Sequence, residues 1–301
     1  MHLIEILLPL NDNNGRPFDA GKYRAEPLVC DAKAGLDALL QALRGYRSPA
    51  AWRARSEREL ATWDEDAGKA TAPSNTALPS DAQVIGAVQR AGQRSDIVVC
   101  AAGGLPGELH KLWNASLPGS YHLEYGYSCM GYEIAGGLGV KLACPDREVL
   151  VMVGDGSYLM MNSEIATSVM LGAKLVIVVL DNRGFGCINR LQRATGSESF
   201  NNLLEHTKHE TLPAIDFAAH AASLGAAARK VSGLAELEAA LKDARKAERT
   251  TVIVIDTDPV ASTQAGGHWW DVAVPQVSER AEVRAARTNY ETALKAQRPG
   301  D

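Results

Sequence analysis

Asp155 and Asn182 are the residues of this sequence best suited to hold a cation. Asp155 sits in Gly154-Asp155-Gly156, at the end of an apolar run over residues 149–153. Asn182 sits in Asp181-Asn182-Arg183-Gly184, after a second apolar run over 175–180, and the two are 27 residues apart. A carboxylate and an amide oxygen are hard ligands, and Mg2+ is commonly held by one or two carboxylates together with water and substrate phosphate oxygens. The glycines permit tight turns and close approach of backbone to a ligand. Ser157 opens a helical pattern whose first N–H groups and positive dipole end suit a phosphate. Either turn alone is equally an ordinary turn sequence, because Gly, Asn and Asp dominate turns for local reasons.

The segment 149–186 therefore reads as strand, acidic turn, helix, strand and amide-bearing turn. In a parallel sheet, such a βαβ unit brings the C-terminal ends of both strands to one edge, where open α/β folds bind ligands. Two further glycine-bearing stretches precede it: CAAGGLPGELHKLW (100–113), a strand running into a glycine loop and a helix, and YGYSCMGYEIAGGLGVKLA (125–143), whose small residues allow close helix packing.

Helices and strands alternate around this unit. The pattern predicts helices over 82–91, 130–142, 216–224 and 232–247, with another containing 109–113. Strands are predicted over 96–101, 226–231 and 251–256, with a strand-like patch near Tyr121 and a Gly/Asn-containing loop after the central unit. This predicts an α/β fold with a mostly parallel sheet and helices on both faces. Residues 1–48 begin with a strand-like apolar stretch and end in a helix with Asp31 as N-cap and Leu36, Leu39, Leu40 and Leu43 at helical spacing. They read as the end of a domain whose remainder lies elsewhere. Residues 49–80 hold a charged helix (50–67) and most of an Ala/Pro/Ser/Thr-rich linker (68–82). Residues 81–301 form the main domain with a C-terminal extension.

A net charge of -5 without a Lys/Arg cluster argues against a nucleic-acid surface. The apolar runs are short of the roughly 20 residues that span a membrane, and the first residues lack a signal peptide's basic start and cleavage site. Five scattered cysteines without a CxxC pair fit reduced thiols in a cytoplasmic protein.

The combination of GDG with a downstream Asn resembles the cofactor motif of thiamine diphosphate enzymes. The resemblance implies that the Asp155 and Asn182 side chains and the Gly184 carbonyl hold Mg2+, which bridges the diphosphate of thiamine diphosphate. It makes Gly103, Gly104, His110, Gly154, Gly156 and Ser157 candidate cofactor contacts. Ser128 and Met130 would hold the pyrimidine ring by their backbone, with the Met130 side chain wedged beneath the bent cofactor, bringing the aminopyrimidine nitrogen against the thiazolium C2 proton. In that family the glutamate that starts the chemistry belongs to a pyrimidine-binding domain, so no residue of this chain takes the catalytic role. The partner implied is such a domain, from a missing segment or a second chain, within a homo-oligomer. Residues 1–48 then correspond to the remnant of a central α/β domain.

Three stretches, FDAGKYRAEPLVCDAKAGLDAL, GSESFNNLL and DTDPVASTQAGGHWWDVAVPQVSE, resemble the inositol-catabolic branch of that family, which opens a cyclic 1,2-dione by hydrolytic C–C cleavage. The implied substrate is a small polyhydroxylated cyclic dione, with Asn201, Asn202 and His268 as candidate contacts and the isolated chain inactive. Two other readings stay open: a lyase or decarboxylase of the acetohydroxyacid synthase type, and a non-catalytic diphosphate-binding module.

Overall fold

The computed structural model describes residues 30–124, 126–264 and 272–296. In chain order the elements are α1 (Ala32–Ala42), α2 (Ala50–Ala70), α3 (Asp81–Ala91), β1 (Ile97–Cys100), α4 (Gly104–Leu112), β2 (Tyr121–Leu123), α5 (Tyr132–Ala143) and β3 (Val149–Gly154). Then follow α6 (Asp155–Met160), α7 (Glu164–Met170), β4 (Val176–Asp181), α8 (Gly186–Ala194), α9 (Phe217–Ser223), β5 (Ala227–Val231), α10 (Leu234–Lys246), β6 (Thr251–Asp256) and α11 (Ala281–Ala296). Among the described residues, no helix is long and apolar enough to cross a membrane.

The six strands form one sheet in the order β2-β1-β3-β4-β6-β5, and every neighbouring pair is parallel. This is the expected architecture. Successive side chains of a strand point to opposite faces, so each central strand feeds two cores. Cys100, Met152, Val178 and Ile253 pack with α3, α4 and α10 on one face. Val99, Val151, Ile177 and Val252 pack with α5, α7 and α9 on the other. The strands β3 and β4 are buried almost throughout, which explains why they read as unbroken apolar runs rather than alternating ones.

Local chemistry sets the helix starts. Ser80 and Gln83 form a reciprocal capping box ahead of α3, with bonds of 3.3 and 3.0 Å. Asp31 and Asp216 cap α1 and α9 through Ala34 and Ala219. The α2 helix runs to Ala70, into the expected linker, and Trp63, Ala67 and Ala70 pack against the first core face.

The sequence reading differs from the structure in four further places. The helix after Gly156 is two short helices, separated where Met161 adopts φ -151 and ψ 65. The stretch 186–194, read as loop, is α8, and the C-terminal extension carries α11. Met130 lies in the turn before α5 instead of inside it. The apolar N-terminal stretch and His268 lie outside the described residues.

Candidate functional site

The register of β3 on β4 pairs Gly154 with Leu180, so the residues just beyond, Asp155 and Asn182, emerge at the same sheet edge. Asp155 is the first residue of α6 and only 4% exposed. Its Oδ2 accepts the Gly184 backbone N–H at 2.7 Å. Its Oδ1 and the Asn182 Oδ1 are both buried without a hydrogen-bond partner. Burial, reinforced by neighbouring Asp181, pushes the Asp155 carboxyl up to about 7, and the amides of Gly184, Gly156 and Asn182 pull the other way. Two orphaned buried acceptors at one sheet edge are costly unless something satisfies them.

A hard cation would do so. Among the described residues no group of three or more His, Cys, Asp and Glu side chains could hold a metal. A cation here would rest on one carboxylate, one amide, backbone oxygens and a ligand's own oxygens, a donor set that fits Mg2+ with a phosphate better than a zinc site.

The turn after β4 is shaped by close approach. Gly184 adopts φ +141, and an added Cβ would lie 2.4 Å from the Asn202 carbonyl oxygen. That carbonyl accepts the Phe185 N–H at 2.6 Å, the Arg183 carbonyl accepts the Leu204 N–H at 2.9 Å, and Gly184 bridges Leu203 in antiparallel fashion. The Asn202 amide donates to Gln192 Oε1 of α8 at 2.5 Å. Asn202 thus braces the turn through both its carbonyl and its side chain. Neighbouring Asn201 adopts a left-handed conformation, φ +55.

The loop after β1 supplies Gly103, the N-cap of α4, and Gly104, whose α-carbon faces the Arg190 guanidinium closely. The turn before α5 holds Ser128 in a left-handed conformation, φ +53. Glu124 accepts the N–H groups of Tyr127 and Cys129 at 3.0 and 2.7 Å, which fixes that turn and lowers the Glu124 pKa. Met130 is half-buried beside it. Gly154, Asp155, Gly156 and Ser157 are brought to the same edge by β3 and α6.

Two candidates sit differently from the sequence reading. His110 belongs to the last turn of α4, about 9 Å along the helix from Gly104 at 1.5 Å per residue, with its ring tilted against Tyr121 at 5.7 Å. The structure therefore does not bring it to the loop. The Ser157 hydroxyl is committed inside the protein: it donates to Glu133 and accepts from the Gly131 N–H at 2.7 Å, so its backbone is what remains for a phosphate. Glu133, buried in the first turn of α5, escaped the sequence reading. Burial raises its pKa above the usual carboxylate range.

Residues 101–255 match the family model described as "Thiamine pyrophosphate enzyme, C-terminal TPP binding domain". The chain is 39% identical over 312 residues to the 3D-(3,5/4)-trihydroxycyclohexane-1,2-dione hydrolase of Geobacillus thermodenitrificans, covering 95% of this chain and 49% of that protein. It is 37% identical over 311 residues to the Bacillus subtilis protein of the same name, covering 95% and 48%. The chain thus spans about half the length of the curated relatives it matches. Among solved structures, the thiamine diphosphate-dependent 4-hydroxybenzoylformate decarboxylase of Rhodococcus jostii superposes with a TM-score of 0.62 at 21% identity, over 78% of this chain and 41% of that one. That likeness concerns the fold.

Proposed function

This chain belongs to the thiamine pyrophosphate enzyme family, and from that premise we propose that it supplies the diphosphate- and Mg2+-binding half of an enzyme that opens a polyhydroxylated cyclic 1,2-dione by hydrolytic C–C cleavage. The observation that carries the cofactor part is the pair of orphaned buried oxygens, Asp155 Oδ1 and Asn182 Oδ1, at the end of β3 and just beyond β4. The similarity to 3D-(3,5/4)-trihydroxycyclohexane-1,2-dione hydrolases over 95% of this chain supports the substrate class.

When bound, thiamine diphosphate supplies a carbon nucleophile for attack on a carbonyl, chemistry that protein side chains lack. The chain's own residues bind and orient. Asp155, Asn182 and the Gly184 carbonyl hold the cation. The backbone amides around Gly103, Gly104, Gly156 and Ser157 receive the diphosphate oxygens, and the turn carrying Ser128 and Met130 sets the ring end. The pyrimidine-facing wall and the proton-transfer glutamate come from a further segment or a second chain, in a cytoplasmic homo-oligomer.

The test pairs binding with turnover. Isothermal titration of the 301-residue chain with thiamine diphosphate is expected to show Mg2+-dependent binding. Ring opening of the trihydroxydione is expected only when a pyrimidine-binding domain is added. Dione hydrolysis by the chain alone would overturn the division of labour, and pyruvate turnover without dione cleavage would overturn the substrate. Met130→Ala is expected to leave cofactor binding in place and slow turnover in the complemented enzyme.

A further inference from the structure

Glu133 is 1% exposed and gathers hydrogen bonds from three separate segments. It accepts the Ala102 N–H at 3.4 Å from the loop after β1, the Gly131 N–H at 3.0 Å from the turn before α5, and the Ser157 hydroxyl of α6, whose Oγ lies 2.8 and 2.9 Å from the two carboxyl oxygens. The Ser157 Oγ also accepts from Gly131, which closes the network. Gly131 has φ +92, and an added Cβ would lie 3.0 Å from the Met161 Cβ, so the turn is pressed against the end of α6.

The three segments joined are those carrying Gly103 and Gly104, Ser128 and Met130, and Asp155 and Gly156. An acid serving only to cap α5 would need the Gly131 amide and nothing from Ala102 or Ser157. We infer that Glu133 is a positioning residue that joins the ring-side turn to the diphosphate-side loops, so that both ends of the cofactor are gripped as one unit. This rests on the thiamine diphosphate reading above. Buried polar networks of this kind fix geometry because each member loses its partner when one is removed.

Glu133→Gln keeps the shape but presents an NH2 group to one of the donors, which then has no acceptor. The experiment titrates the 301-residue chain, in Mg2+, with thiamine diphosphate and separately with inorganic pyrophosphate, which has no ring end. Glu133→Gln is expected to weaken thiamine diphosphate by about 10-fold or more and pyrophosphate by less than about threefold, a difference of roughly 0.7 kcal/mol or more. Its melting temperature should stay within a few degrees of wild type. Ser157→Ala is expected to shift the preference in the same direction, and the double variant to lose no more than Glu133→Gln alone, because the two act through one network.

Equal weakening of both probes, or no weakening, overturns the inference. If Glu133→Gln does not fold, Ser157→Ala decides by the same criteria. A wild-type chain that binds neither probe defeats the cofactor reading and this inference with it. A wild-type chain that binds both, with the preference unchanged in the variants, defeats the inference alone.

Discussion

The Gly184 backbone N–H donates to Asp155 Oδ2 at 2.7 Å, which ties the turn after β4 to the turn after β3 through one oxygen of the proposed metal ligand. The other oxygen is left buried and unbonded. One carboxylate thus shapes the site with one atom and leaves the other for the proposed cation.

Asp155→Asn separates these two roles. The amide keeps a carbonyl oxygen for Gly184 but removes a desolvated charge, so the metal-free protein should be at least as stable as wild type. Mg2+-dependent thiamine diphosphate binding should fall by about 100-fold or more, roughly 2.7 kcal/mol. Titration with and without a chelator reads the second effect and a thermal melt the first. Undiminished binding by the variant would remove Asp155 from the site.

Gly184→Ala tests the brace. The new methyl meets the Asn202 carbonyl, and the backbone is held at φ +141, so the turn must distort at a cost of about 1–3 kcal/mol from strain. Cofactor binding should be lost even though both proposed side-chain ligands remain. Gly107→Ala is the control: its methyl would meet nothing within 4 Å in α4, and alanine there should hold or raise the melting temperature.

Asp81 predicts a pH dependence. Burial, with Glu108 and Asp258 adding to it and Arg190 opposing, raises its pKa from 3.8 to about 6. Between those values the folded chain keeps a proton that the unfolded chain has released. Stability therefore falls as pH rises through this window and stays lower above it. Asp81→Asn should remove that slope, raising the melting temperature at pH 7 to 8 and changing it little at pH 4. Melts across this range check it, and a constant offset between variant and wild type would contradict it.

Arg245 holds a buried carboxylate. Its two terminal nitrogens reach Asp96 Oδ1 and Oδ2 at 3.1 and 2.5 Å, and Asp96 is 3% exposed. Arg245→Met should cost about 3–5 kcal/mol by leaving that charge unpaired. The double variant with Asp96→Asn should recover part of the loss. Urea denaturation measures both, and additive losses would mean that the pair is not coupled.

The central unit was legible in the sequence because β3 and β4 are continuous apolar runs ending in turn residues, a signal set by burial on both faces. The helix α8 was not. It begins at Gly186 within a glycine-bearing turn, and its polar residues Arg190 and Gln192 serve neighbouring loops, Arg190 through the Pro259 carbonyl and Gln192 through Phe200 and Asn202, which obscures an apolar stripe. Glu133 went unread because it lies in a stretch read for its small residues. Its signal was an acidic residue amid Ile134, Ala135, Gly136 and Gly137, where a charge must find internal partners. The reach of Asn202 across to Gln192 depends on a tertiary fold that spacing does not encode.

The all-parallel sheet also has a consequence for how this chain tolerates change in length. The candidate ligand-facing groups leave the C-terminal ends of strands, while the connections at the opposite rim, such as 145–148 and 172–175, return the chain to the next strand and are tied to each other by the Lys174–Glu148 ion pair at 3.1 Å. Lengthening a connection at that rim without breaking those contacts costs loop entropy of about 0.6 kcal/mol per doubling. An added residue at the other rim would shift Gly103, Asp155 or Gly184 out of place. The two rims of one sheet therefore accept insertions on very unequal terms.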